Sequence, residues 1–539
     1  MNNNFYQNNN QNYVECTSHG ACSISPSASS LQEVMLVLLR QEAFYVLKLD
    51  ELGVKNDNII LYIIEELATI DSTSEYAEEQ ILDIYSKHYI NVINLKKEYK
   101  RICKEQNKSC EEIKSAVKFS PNMRISHLIQ QGEKTFLDKY NRMSKNQKEL
   151  SDILLGVIKG ICSDIVMLSD LGKLHDKACN IVLNALNLFN LSKMPIEKIR
   201  EITSELININ KELLQLIYDT QTELYGEITE VEVSLSTTPG KAILVAGSNL
   251  KELHSVLLAT QDKNIDVYSN GNLLIAHAFP EFQKFKNFKG HFGSVSECTV
   301  LDLSTFPGAI LLTKNEAQNV EYLYRGRLFT TDNIPPKGVV RIEGDDFTPL
   351  IFAAEQSKGF SKGQTRKSIT VGFNPKELDE KFDNIAKKFN NHIYKHLFII
   401  EFSSNSYAQE EYFKKFYAGV AKHSFIISFS YKPACENSIT INIANNYPTI
   451  YYVLTSLGKK IELDANRLFF FLTRCDVRSL SNMISLKEGG VKNIYLTNCP
   501  PKVINPSVLK AFIEIYDIKQ TTSPKKDIES IFNMEETDE

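Results

Sequence analysis

The sequence predicts an α plus α/β chain, with a helical-bundle domain followed by two α/β domains built on parallel sheets. Three observations carry this. From residue 29 to about 232 apolar residues recur at helical spacing, with little Gly or Pro and no strand-like alternation. At Thr238, Pro239 and Gly240 the pattern changes to short apolar runs alternating with helical segments. A second series of the same kind starts near Ser368. The expected organisation is a polar N-terminal segment (1–28), the helical domain (29–232), a first α/β domain (233–367), a second (368–520) and a polar tail (521–539) that frays.

In chain order, Ser29 and Ser30 are expected to cap a helix carrying Leu31, Val34, Met35 and Leu38, with Gly53 to stop it. Similar periodicity predicts helices over 59–68, 79–99, 150–171, 181–191 and 197–224. The first α/β series has strands expected at 242–245, 265–268, 309–313 and 339–342, with a helix over 250–259. The second opens with a strand at 369–371 and a helix over 375–390. Strands follow at 397–402, 425–429, 439–443 and 493–497.

Composition narrows the function. The chain has 539 residues, 43% hydrophobic and 24% charged, as in an average globular protein. Its 61 Lys and Arg against 66 Asp and Glu give a net charge of −5, which argues against nucleic acid or an anionic membrane as partner. No run of 18 apolar residues is present, since 154–168 is broken by Lys159 and Asp164 and the run at 468–472 is short. Met1–Tyr13 is mostly Asn and Gln, with neither a basic nor an apolar leader pattern, so a cytoplasmic location with reduced thiols is expected for the ten cysteines.

Common chemical motifs are missing: there is no P-loop, GxSxG, HExxH or GxGxxG after the candidate strands. Cys16 and Cys22, with His19 between them, form the one close Cys/His group, two thiols and an imidazole short of a four-ligand zinc or iron site. Cys103, Cys110, Cys162, Cys179, Cys298, Cys435, Cys475 and Cys499 are scattered, as expected of small buried hydrophobes. His277 follows the 265–268 strand, at the end of the sheet where α/β folds place ligand-binding groups, although a lone loop histidine is more often structural.

The stretch 239–293, PGKAILVAGSNLKELHSVLLATQDKNIDVYSNGNLLIAHAFPEFQKFKNFKGHFG, resembles the hybrid-cluster protein family, also called prismane proteins or hydroxylamine reductases. PGAILLT at 307–313, GVVRIEGDDF at 338–347, GGVKNIYLT at 489–497 and the N-terminal CTSHGAC followed by SLQEVMLVLLR stand in that family's order, so the resemblance covers nearly the whole chain. It implies a helical domain followed by two Rossmann-like domains. It also implies a cubane iron-sulfur cluster on four N-terminal cysteines, and an iron-sulfur-oxygen hybrid cluster held by cysteines, a histidine and glutamates.

On that resemblance the ligand set is largely replaced. Cys16 and Cys22 match the last two cubane cysteines, and the first two positions fall near Asn4 and Gln7. At the hybrid cluster, the histidine of GHDLK is matched by Ser248 and the glutamate of HGEMLPA by Asn272. The cysteine after ILLTTN is matched by Glu316 and the persulfide cysteine of GGCDG by Ser404. Two further cysteines fall near Tyr431 and Ala444, with Cys435 a displaced candidate, and the last glutamate becomes Asp476. Iron-sulfur clusters need soft thiolate donors, which amide, methyl and neutral hydroxyl groups do not replace.

The expectation is therefore a cluster-free pseudoenzyme with no cofactor, serving as a binding or assembly scaffold for an unknown protein partner or an active homologue. The alternative is an iron-sulfur oxidoreductase acting on hydroxylamine or nitric oxide, its cluster rebuilt with Cys435, Cys475 or Cys499. A third reading places a different activity, or a hard cation, on Glu316 and Asp476 with His277.

Overall fold

The computed structural model describes residues 26–69, 78–113, 123–191, 193–294, 300–314, 326–333, 335–336, 338–401, 407–422, 424–429, 437–462, 464, 466–473, 477–497 and 506–533. The chain divides into two compact units. One comprises Met1–Leu213, Asp476–Ser481 and Pro501–Ile515; the other comprises Leu214–Cys475, Asn482–Pro500 and Tyr516–Glu539.

The first unit is helical. The Pro26–Asp50 helix packs against helices Glu78–Glu105, Ile125–Asn141 and Asp176–Leu188, and Asp57–Thr69 packs on Lys145–Asp170. Ser29 and Ser30 do not cap the first helix as expected. Both lie inside it, and the buried Ser30 instead supplies the backbone against which Gly132 of Ile125–Asn141 is set. Gly53 does follow its end in the left-handed region, with φ 85°. Ile125–Asn141 is a helix that periodicity had not singled out. Lys145–Asp170 opens on a capping box, Ser144 with Gln147, and Gln147 Nε2 also donates to the Met194 carbonyl at 2.8 Å. The buried Arg40 donates through Nη1 to the Phe189 carbonyl at 3.1 Å, and Asn190 Nδ2 donates to the Arg40 carbonyl at 2.6 Å.

The second unit holds the sheets. Its strands are β1 (Val231–Val233), β2 (Lys241–Ala246), β3 (Ile265–Asn270), β4 (Phe288–His291), β5 (Ala309–Leu312), β6 (Leu328–Thr330) and β7 (Val340–Arg341), then β8 (Ile369–Val371), β9 (His396–Ile400), β10 (Ser424–Ser428), β11 (Ser438–Thr440), β12 (Leu468–Leu472), β13 (Asn493–Leu496) and β14 (Lys519–Gln520). One sheet runs β4-β3-β2-β5-β6-β7 and the other β11-β10-β9-β12-β13-β14, and every pair within them is parallel. The two parallel sheets after a helical region are the predicted α plus α/β class.

Central strands are apolar almost throughout because helices cover both faces of a parallel sheet. Leu244, Tyr268, Phe306, Ile310 and Leu312 fill one core, and Phe398, Phe413, Phe416, Phe469 and Phe471 fill the other. Each such aromatic or aliphatic side chain contributes about 1.5–3 kcal/mol by leaving water.

Two expectations change here. The strand at 369–371 does not open the second parallel sheet. It pairs antiparallel with β1, Val231 opposite Val371, in a separate two-stranded ribbon. Within the segment read as a polar tail, Pro524–Asn533 forms a helix whose Ile531 joins the second core and whose Asp527 accepts from Tyr412 Oη at 2.7 Å.

Candidate functional site

The carboxyl ends of the first sheet's strands are tied to one another by backbone and side-chain hydrogen bonds. β2 ends at Ala246, and Gly247 follows with φ 136°, a conformation that favours glycine. Gly247 N donates to the Asn270 carbonyl at 3.3 Å, and its own carbonyl accepts from Leu273 N at 2.9 Å, which holds the β2 and β3 ends side by side. Ser248 N then donates to Thr313 Oγ1, just past β5, at 3.1 Å.

Asn249 caps the Leu250–Thr260 helix by accepting from Glu252 N. The Glu252 carboxylate links three strand ends, accepting from Asn249 Nδ2 at 3.2 Å, Lys314 N at 3.2 Å and Thr331 Oγ1 at 2.9 Å. Neither periodicity nor motif spacing pointed to Glu252. Its one sequence signal is an acidic residue in the first helical turn after a strand, where a helix N-terminus favours negative charge.

Three of the seven expected pocket positions, Ser248, Asn272 and Ala444, lie among the described residues. Ser248 follows β2. Asn272 opens the short 3-10 helix Gly271–Ala278 that follows β3. Asn272 Oδ1 accepts from Asn445 Nδ2 at 3.1 Å, and Asn445 is the neighbour of Ala444. Ala444 is buried in the left-handed region at φ 50°, unusual for a residue with a Cβ. Asn442 and Asn446 fix the segment on either side of it. Asn442 donates to the Thr370 carbonyl at 2.9 Å, and Asn446 caps the Tyr447–Gly458 helix by accepting from Thr449 N at 3.0 Å. Glu316, Ser404, Tyr431 and Asp476 lie outside the described residues, as do Cys16, Cys22, Cys435, Cys475 and Cys499.

The three described positions carry none of the donors that the family resemblance implies for them. Where the resemblance implies imidazole, carboxylate and thiolate, Ser248, Asn272 and Ala444 supply a hydroxyl, an amide and a methyl group. Among the described residues no group of three or more His, Cys, Asp and Glu side chains is arranged to hold a metal ion.

His277 sits in the 3-10 helix rather than a loop, stacked on Phe288 with ring centroids 3.9 Å apart. It belongs to a buried chain. Ser269 Oγ lies 2.9 Å from His277 Nε2 and 2.9 Å from His291 Nδ1, and His291 Nε2 donates to the Ser294 carbonyl at 2.7 Å. That last bond leaves His291 Nδ1 as an acceptor for the Ser269 hydroxyl. Burial, then the charge of the neighbouring ring, drops His277 to about 3; burial alone lowers His291, to about 4, against weaker opposing effects of Ser294 and Asp302. Both are therefore neutral packing groups at physiological pH. Close by, Asn270 Nδ2 and Ser294 N both donate to Asp302 Oδ2, at 3.2 and 3.0 Å.

The fold thus defines a helical unit joined to a pair of parallel-sheet α/β domains, with a polar convergence at the strand ends of the first sheet. The chain belongs to the Prismane/CO dehydrogenase family, whose model matches residues 11–428. It is similar to hydroxylamine reductases of Syntrophobacter fumaroxidans (24% identical over 532 residues, 96% of this chain and 97% of the relative) and Thermodesulfovibrio yellowstonii (24% over 538 residues, 96% and 97%). It is also similar to that of Methanocella arvoryzae (23% over 532 residues, 96% and 97%). A solved acetyl-CoA synthase/carbon monoxide dehydrogenase alpha subunit shares 10% identity at a TM-score of 0.45, covering 95% of this chain and 83% of that one. No described helix is long and apolar enough to cross a membrane.

Proposed function

We propose that this chain is a cluster-free member of its family, a cytoplasmic pseudoenzyme that uses the inherited scaffold to bind a protein partner or pair with an active homologue. The observation that carries the reading is the amide of Asn272, which stands where the resemblance implies a glutamate and is bonded to Asn445. An amide pair joining two α/β domains does the work of a structural tie, not of an iron ligand.

The test is iron, acid-labile sulfide and the visible spectrum of protein purified without oxygen. Folded, colourless, iron-free protein is expected. Brown protein with stoichiometric iron and sulfide would overturn the reading in favour of a rebuilt redox site. That second reading, an oxidoreductase acting on hydroxylamine or nitric oxide, is favoured by the near full-length similarity to hydroxylamine reductases. Under it, changing Cys435 and Cys475 to alanine removes both the colour and the activity.

A further inference from the structure

Cys103 and Cys110 are seven residues apart in sequence, and the chain folds back between them. The Glu78–Glu105 helix ends in a reversal in which Gln106 N donates to the Ile102 carbonyl at 2.9 Å, Asn107 adopts φ 52°, and Lys108 N donates to the Cys103 carbonyl at 2.8 Å. The segment then runs back over the last turns of the helix. Glu111 N donates to the Tyr99 hydroxyl at 3.0 Å, and the Glu111 carboxylate is held by Lys48 Nζ at 3.1 Å. Tyr99 lies one turn before Cys103, so this anchoring sets Cys110 beside the Cys103 side chain. Cys103 is buried and Cys110 is exposed.

We propose that Cys103 and Cys110 form a redox-active dithiol that closes to an intramolecular disulfide when a peroxide reaches the exposed Cys110. The Cys110 thiolate attacks one peroxide oxygen, the O–O bond breaks and water leaves, giving a sulfenic acid on Cys110. The Cys103 sulfur then attacks the Cys110 sulfur and expels a second water. Two thiols and one hydrogen peroxide become one disulfide and two waters. Closure pins the 106–110 reversal to the helix end, and a thiol reductant reopens it. Interaction with Cys103, followed by burial, holds the Cys110 thiol above its ordinary range, so closure speeds up as pH rises above neutral.

The test uses the full chain, reduced and then exposed to hydrogen peroxide, with remaining thiols alkylated. Lys104 and Lys108 lie between the two cysteines, so trypsin separates them unless a disulfide joins the fragments. The expected result is an intact mass lower by two hydrogens before alkylation, two fewer alkyl groups after it, and a joined peptide pair containing Cys103 and Cys110. Dithiothreitol restores the reduced mass, and the pair is lost in Cys110→Ser, an exposed substitution that leaves the helix intact. Recovery of Cys110 only as a sulfinic or sulfonic acid, or only in a disulfide between two molecules, would overturn the proposal.

Discussion

Nδ1 of His88 lies 2.7 Å from Oε2 of Glu42, and both side chains are wholly withdrawn from solvent. His88 Nε2 is 3.9 Å from Glu66 Oε2, and Tyr62 stacks on the ring at 4.4 Å. Burial pulls the imidazole down, but the two carboxylates together push it further up, to about 9, and burial pushes Glu42 up as well. The His88 shift means that the folded chain holds the imidazole proton more tightly than the unfolded one. The stabilisation is full below the ordinary histidine value of 6.5 and is lost as pH rises through about 9. It amounts to about 3 kcal/mol. Urea midpoints measured across that interval should fall. His88→Gln should flatten the pH dependence and lower stability by about 3–5 kcal/mol at neutral pH, because it leaves a buried carboxylate uncompensated.

The His277–Ser269–His291 chain makes the opposite prediction. Both imidazoles are held below 6.5, so the unfolded chain binds protons that the folded chain refuses. Stability is present above 6.5 and is lost as pH falls toward the folded values of about 4 and 3. Acid unfolding followed by near-ultraviolet circular dichroism should show an uptake of two protons from this pair. In His277→Phe, which keeps the stack on Phe288, that uptake drops to one.

Glu252 gathers three strand ends through a partly buried carboxylate. Glu252→Ala should cost about 1.5–3 kcal/mol, the range for hydrogen bonds to a charged group, and Glu252→Gln should cost less. Hydrogen exchange provides the spatial readout. The Lys314 amide, which donates to Glu252 Oε2, should lose protection in the alanine variant while the amides of β9 and β10 keep theirs.

At Gly132 the usual sign of a substitution reverses. Replacing a helical glycine by alanine ordinarily stabilises by roughly 0.5–1 kcal/mol. Here the added Cβ would stand 2.0 Å from the Ser30 carbonyl oxygen, backbone that cannot swing aside. Gly132→Ala should therefore destabilise by about 1–3 kcal/mol in thermal or urea unfolding.

Much of the fold was legible because long helices and buried parallel strands write strong local patterns. The 197–224 periodicity became Ile196–Tyr225, and the apolar run at 242–245 became the core of β2. What escaped was fixed by distant partners. Ile369–Val371 reads the same whether its neighbour is parallel or antiparallel, and only Val231–Val233 decides. Leu468–Leu472 registered as a run too short for a membrane, yet it lies between β9 and β13 in the second sheet. Phe288–His291 carries a lysine, a glycine and a histidine and is a strand only because β3 offers it a ladder.

The site divides along the same line. Ser248, Asn272 and Ala444 were singled out through family resemblance, not through local pattern. Their neighbours Glu252 and Asn445 act across separations of 62 and 173 residues, which local sequence patterns do not reveal. The cysteines of the helical domain were read as scattered. Sequence spacing alone does not reveal that a left-handed Asn107 turns one of them back toward another.

The ribbon formed by β1 and β8 has a consequence for the chain's modularity. Val231 and Val371 face each other, and the bridges Thr237 to Gln364 and Gly240 to Phe360 continue the pairing inward. The first α/β domain therefore enters and leaves through a single closed neck. A segment whose two ends already touch can be cut out, and the gap sealed with a short turn, without dragging distant chain through the fold. In engineering terms, the ribbon is a clasp that brings the two ends of segment 234–368 together, the feature that a circular permutation needs.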